Sequence, residues 1–208
     1  MSGRTRLLLF AATAVVGAGI GVAAAVRSTH GSSTPTASAS YASWSAGARP
    51  APAFDLRDQH GRALTTTGLR GRVTIVSFID PVCRNLCPLE AKELTRVVTD
   101  LGAAAPAVVA VSVNPPADTA SAFRQDARAW KLPPSWRWGL GAARTLARVW
   151  RDYAIGVQVQ RKTIAGVTVR DVVHTEAAYV IDTRGDERAL FVWPYRAADV
   201  DKVVRSLS

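Results

Sequence analysis

The chain has 208 residues, 48% of them hydrophobic, with 26 Lys and Arg against 16 Asp and Glu for a net charge of +10. This composition supports one globular domain with appendages and excludes a wholly disordered chain. The positive charge does not mark a nucleic-acid binder, because the arginines are scattered and form no run or stripe beside aromatic residues.

Arg4 and Arg6 precede Leu7 to Val26, an uncharged run of about 20 residues, the length that crosses a bilayer as a helix. Positive charge ahead of such a run keeps the N-terminus in the cytoplasm and places everything after Arg27 outside. A signal peptide cleaved near Ala23 to Ala25 is the alternative, but the apolar run exceeds a usual signal core and favours an uncleaved anchor over residues 1–27. No cysteine lies near its end for lipid attachment. Residues 28–50 are mostly Ser, Thr, Ala, Gly and Pro and read as a flexible linker. His30 is solvated there, and Tyr41 and Trp44 are placed to touch the domain or the membrane interface. The folded domain is expected over 51–208.

In that domain Phe54 to Arg57 reads as a short strand, with a turn at His60-Gly61 and Leu64 on the return. Val73 to Ile79 is an apolar, β-branched strand that stops at Asp80-Pro81. A helix opens near Pro88, a residue favoured at the first helical position, and carries Leu89, Leu94, Val97, Val98 and Leu101 until Gly102 ends it. Ala107 to Val113 is a second buried strand, stopped by Asn114-Pro115-Pro116. Asp118 is the expected N-cap of a helix with Phe123, Ala127 and Trp130 on its apolar face. Trp136 to Leu140 reads as a third strand and Ala142 to Tyr153 as a helix. Gly156 to Gln160 and Gly166 to Val172 form a hairpin around Lys162 to Ala165. Strands at Ala178 to Ile181 and Ala189 to Val192 flank a turn at Asp182 to Gly185, and Ala197 to Leu207 is the closing helix. The alternation predicts an α/β protein with a mixed central sheet flanked by helices.

Both cysteines, Cys83 and Cys87, fall at the junction of the first buried strand and the first helix. If the helix includes both, their spacing puts the sulfurs on one face, one turn apart. The helix N-terminus and Arg84 both favour the thiolate. A structural disulfide is one reading, but so short a loop constrains almost nothing. The others are a redox-active dithiol and a soft metal site for Cu(I) or Zn(II), which calls for an imidazole. His60 sits in a turn, where a polar residue needs no further role. Only His174 adjoins a core strand inside the domain, and the loop entering that strand can reach the end of the sheet where the cysteine loop emerges.

Taken in order, these segments resemble the SCO/SenC copper-chaperone family of membrane-tethered, thioredoxin-like proteins. The resemblance rests on Phe54 to Gly61 as the opening strand and DxxG turn, Leu69-Arg70-Gly71-Arg72 ahead of the first core strand, and Cys83 to Pro88 as CxxxCP. It continues through Ser112-Val113-Asn114-Pro115 with Asp118-Thr119, Trp136 to Gly141, and His174 with Tyr179 to Gly185. The chain departs from the family in carrying Arg84-Asn85-Leu86 between its cysteines where Pro-Asp-Val is common, Asp80 where Thr is frequent, Asn114 for Asp and Thr175 for Ser.

The resemblance implies a copper site made by Cys83, Cys87 and His174 that holds Cu(I) and accepts Cu(II) as well. It implies a client, the copper-bearing subunit of cytochrome c oxidase, whose dinuclear centre receives copper or has its cysteines reduced. A copper donor and a thiol reductant are then further partners. The expected location is the bacterial cell membrane, single-pass, with the C-terminal domain on the extracytoplasmic side. The rival is a thiol-disulfide oxidoreductase using Cys83 and Cys87 with no essential metal. Such enzymes usually carry CxxC and a proline before the later strand, where this chain has His174-Thr175-Glu176.

Overall fold

In the computed structural model, which describes residues 41–207, the chain opens with β1 (Tyr41–Ser43), β2 (Asp55–Arg57), β3 (Ala63–Thr65) and β4 (Thr74–Ile79). There follow α1 (Leu86–Leu101), β5 (Ala107–Ser112), α2 (Ala120–Ala129), β6 (Trp136–Gly139) and α3 (Ala143–Asp152). The last part contains β7 (Val157–Ile164), β8 (Val167–His174), β9 (Ala177–Ile181), β10 (Glu187–Val192) and α4 (Ala197–Arg205).

Six strands make the central sheet in the order β1-β10-β9-β4-β5-β6. β5 runs parallel to β4 and β6 parallel to β5, while β9, β10 and β1 are antiparallel to their neighbours. The sheet is therefore mixed. β4 and β5 are buried along their whole length, as their near-continuous apolar sequences require of strands covered on both faces. Alternation sends Ile75 and Ile79 of β4 to a layer shared with Leu94 and Val97 of α1, Phe123 of α2 and Val200 of α4. Val76 and Phe78 point the other way, to Leu146 and Val149 of α3 and to Leu56 and Leu64 of the β2–β3 hairpin. Each such buried side chain contributes about 1.5–3 kcal/mol of transfer free energy. At the outer edge, Gln59 binds the backbone of β6 on both sides of its amide, donating to the Trp136 carbonyl at 3.0 Å and accepting from Trp138 N–H at 2.9 Å.

Several boundaries differ from expectation for identifiable reasons. α1 begins at Leu86 because Asn85 Oδ1 accepts the Leu86 N–H at 2.8 Å. Pro88 thus falls within the first turn, where its missing N–H costs nothing. Cys83 consequently lies outside the helix, so the arrangement of both sulfurs on one helical face is not realised. Gly102, at φ 51°, turns the chain out of α1 and donates its N–H to Val98 O. α2 is capped by Thr119, whose hydroxyl accepts the Ala122 N–H at 3.1 Å. Asp118 instead accepts the Ser112 hydroxyl. The β7–β8 strands extend to a two-residue turn at Ala165-Gly166, both at positive φ, tighter than the four-residue connection expected.

Residues 41–50, read from composition as the end of a linker, form the far edge of the sheet. Tyr41 to Ser43 pair with Phe191 to Ala189, the Tyr41 ring stacks on Phe191 with centroids 4.7 Å apart, and Trp44 N–H donates to Arg188 O at 3.0 Å. Arg49 pairs with the fully buried Glu187. Backbone pairing and two aromatics outweigh a local composition that favours solvent. The apolar run Leu7 to Val26 and His30 lie outside the described residues. Among the described residues no helix is long and apolar enough to cross a membrane.

Burial raises the Glu187 carboxyl above its ordinary range, and Arg49 opposes that rise. A folded-state pKa above the unfolded one favours folding at low pH and disfavours it once the group ionises. Arg49→Ala is therefore expected to cost about 1–3 kcal/mol at pH 7, where Glu187 loses its counter-charge, and less at acidic pH. Urea unfolding at the two pH values checks this, and an equal cost at both would remove the ion pair as the cause.

Candidate metal and thiol site

The antiparallel pairing of β4 with β9 sets Ser77 opposite Ala178, so the exit of β4 and the entrance of β9 share one end of the sheet. The β4 exit continues as Asp80 to Asn85 and carries Cys83 to the mouth of α1. The β9 entrance is reached from β8 through His174, Thr175 and Glu176. Two bonds fasten this entrance to the base of β7: Thr175 N–H to Gly156 O at 2.9 Å and Gly156 N–H to the Thr175 hydroxyl at 3.1 Å. Between the two loops opens a cleft of ≈ 540 Å³ lined by Cys83, Arg170, His174 and Glu176, among others.

Cys87, in the first turn of α1, is fully buried, whereas Cys83 is partly exposed at the rim. Cys87 Sγ lies 3.6 Å from His174 Nε2. Glu176 Oε1 is 3.2 Å from that same Nε2 and 3.9 Å from Cys87 Sγ. These sulfur, nitrogen and oxygen atoms all lie within 4.8 Å of one another. Cys83 is not in this closest group: its Sγ donates to Asn85 Oδ1 at 2.8 Å and accepts the Cys87 N–H at 3.4 Å. The structure thus brings Cys87 and His174 into contact and holds Cys83 one step away, tethered to the helix N-terminus.

The imidazole is oriented by its other nitrogen. Nδ1 faces the Thr175 carbonyl at 3.1 Å, which can only accept, so Nδ1 carries a hydrogen and a neutral ring leaves the Nε2 lone pair toward the cleft. That lone pair meets a carboxylate oxygen and a sulfur. Three electron-pair donors converge with at most a thiol hydrogen between them, a deficit that a proton or a metal cation would relieve. The donor set of soft sulfur and imidazole fits copper.

The two thiols differ electrostatically. A hydrogen bond from the Cys87 thiol, helped by the backbone at Asn85 and Cys87 and opposed by burial, brings Cys83 down to about 7. Cys87 is pushed up by the same hydrogen bond, by burial and by the Glu176 charge. Cys83 is thus the more acidic thiol, and Cys87 stays protonated at neutral pH.

Below the site lies a layer of buried polar groups. Glu90 of α1 is fully buried and accepts from the Ser77 hydroxyl of β4 and the Tyr195 hydroxyl, both at 2.9 Å. Burial and the facing Glu176 raise its pKa well above the ordinary carboxylate range. It is therefore an acid facing Glu176, and the Oε2 atoms of both residues are buried with no hydrogen-bond partner.

The departures at Asp80 and Asn114 belong together. Asn114 Nδ2 donates to Asp80 Oδ1 at 3.0 Å, and its Oδ1 accepts from Arg170 of β8. An aspartate at 114 would repel Asp80, whereas the amide bridges carboxylate and guanidinium. This chain of contacts ties the cysteine loop to the hairpin that delivers His174. Arg84 does not stabilise the Cys83 thiolate as expected from its position. It donates to Cys83 O at 2.8 Å and to Asp126 of α2 at 3.2 Å, where burial pushes the Asp126 acid up to about 6 against that pairing. His60 lies in the turn between β2 and β3, away from the cleft. Sequence reasoning missed Glu176, Glu90 and Arg170 as parts of the site. Glu176 is a polar residue just ahead of an apolar strand, and nothing in the pattern says which way it turns.

Known proteins share this fold. The model of the SCO1/SenC family matches residues 44–207. No curated protein matches the chain. Among solved structures, copper-bound ScoI of Bradyrhizobium japonicum is similar at 23% identity and a TM-score of 0.64, covering 76% of this chain and 99% of its own. Copper-bound yeast Sco1 is similar at 20% identity and a TM-score of 0.65, covering 76% of this chain and 87% of its own. BsSco, described as a member of the Sco family of cytochrome c oxidase assembly proteins with a disulfide switch, is similar at 19% identity and a TM-score of 0.59, covering 76% of this chain and 93% of its own. At these identities the structures establish the mixed, thioredoxin-like fold. The family model spans nearly all of the described residues, and the chain belongs to the SCO1/SenC family.

Proposed function

We propose that this protein binds copper through Cys83, Cys87 and His174 and hands it to the copper-bearing subunit of cytochrome c oxidase on the outer side of the cell membrane, with residues 1–27 as its anchor, 28–40 as its tether and the domain following. The observation that carries this reading is the convergence of Cys87 Sγ and His174 Nε2 at 3.6 Å in an open cleft with Cys83 at its rim. The relatives in copper-bound form support it by kinship.

Copper is here a cargo. Cys83, the more acidic and more exposed thiol, meets the incoming ion first, and leaving Asn85 Oδ1 frees it to turn toward Cys87. Cys87 gives up its proton on ligation, so loading releases a proton and is favoured by rising pH. His174 needs no reorientation, because Thr175 O already holds its ring. Unloading follows the reverse order, with Cys83 the first ligand open to a client thiolate. Exposed Val82, Leu86 and Leu89 on the cysteine side and Val173 on the hairpin give a partner an apolar rim to rest on.

The unequal thiols favour a second reading, reduction of a client disulfide. Cys83 thiolate would attack one client sulfur, releasing the other as a thiolate. Cys87 would then displace the second client sulfur, leaving a Cys83–Cys87 disulfide for a thiol reductant to reduce.

Anaerobic Cu(I) titration against a competing chelator tests the copper reading. Each Cys→Ser variant is expected to lose affinity by more than about 100-fold, beyond what outer partners of a site contribute, and His174→Ala by about tenfold. Full affinity in both cysteine variants would sink the site. Alkylation tests the thiol asymmetry: Cys83 should react with a half-maximal rate near pH 7 and Cys87 only on unfolding. In Cys87→Ala the Cys83 midpoint should climb toward 9.0; a midpoint already there in the parent contradicts the assignment.

A further inference from the structure

The three-ligand reading leaves Glu176 without a role. Its side chain is 11% exposed, and among the described residues its ionic partner is His174, with no Lys or Arg in reach. Its Oε1 forms, with Cys87 Sγ and His174 Nε2, the one group of donor atoms among the described residues that converges within 4.8 Å. Its remaining oxygen is buried without a hydrogen-bond partner and faces the Glu90 acid, which is itself fixed by Ser77 and Tyr195. The carboxylate is therefore aimed at the site through Oε1, which meets His174 Nε2 and Cys87 Sγ.

A carboxylate is a hard donor, poorly matched to Cu(I) and better matched to the divalent ion. Charge gives the same preference. Two thiolates and a carboxylate carry three negative charges; Cu(II) leaves one of them uncompensated, whereas Cu(I) leaves two, and the imbalance matters more where water is excluded. Cu(II) also favours a four-donor tetragonal set, which two sulfurs and one imidazole leave incomplete.

We propose that Glu176 is a fourth copper donor that joins Cys83, Cys87 and His174 when the ion is divalent and so biases the site toward Cu(II). This rests on the copper reading above. It makes the carboxylate a determinant of which oxidation state the protein retains.

The test uses the full chain in detergent, titrated separately with Cu(I) and Cu(II) against competing chelators, beside Glu176→Gln. The amide keeps size and shape while removing the charge. Cu(II) affinity is expected to fall by about 10- to 100-fold, Cu(I) affinity to stay within about threefold, and the Cu(II) hyperfine splitting to change. Each tenfold selective loss of Cu(II) raises the one-electron potential of the bound copper by about 59 mV. Unchanged affinities and spectrum overturn the proposal, and so does an equal loss of both oxidation states, which would mean that Glu176 merely shapes the loop. A parent protein that binds neither ion tightly overturns the copper reading and this inference with it. Should Glu176→Gln fail to fold, the parent's Cu(II) signal in oxygen-17-enriched water decides. No broadening is expected if Glu176 fills the fourth position, and broadening by a bound water overturns it.

Discussion

The pairing of β4 with β9 is the constraint on which the site depends. It brings a cysteine on the first helix and a histidine 87 residues later to the same end of the sheet, and it does so with backbone hydrogen bonds between fully buried strands. Sliding β9 by one residue would exchange the side chains it sends to the two core layers and carry the His174 loop away from Cys87. The hydrophobic alternation that stabilises the core therefore also sets the distance between sulfur and imidazole.

The site is asymmetric in attachment and in charge. Cys87 is held in the buried first turn of α1 and His174 by the Thr175 carbonyl. Cys83 is held by a side-chain amide and one backbone N–H. Two of the three side chains are thus fixed in position, while Cys83 stands at the rim of the cleft. The bridge from Asp80 through Asn114 to Arg170 keeps the hairpin in register with the cysteine loop.

The mixed sheet and its two central strands were legible from sequence, because the runs Val73 to Ile79 and Ala107 to Val113 are too apolar to be anything but central strands. The expectation that Cys83, Cys87 and His174 act together came from motif order rather than from periodicity. What was not legible was direction. Asn85 stops the helix short of Cys83 through a local capping bond, whereas Arg84 turns to Asp126 and Glu176 turns inward, each decided by a tertiary contact with no local signature. Residues 41–50 misled for a related reason. Their composition is that of a tether, and they are ordered by what β10 offers them.

Gln59 fills both hydrogen-bonding positions it can reach on the outer side of β6. The open edge of a sheet is a template for adding another strand. A side-chain amide that imitates a neighbouring strand stops the sheet from growing there. At the opposite edge β1 is only three residues long. Both margins thus discourage the addition of a further strand to either side of the sheet.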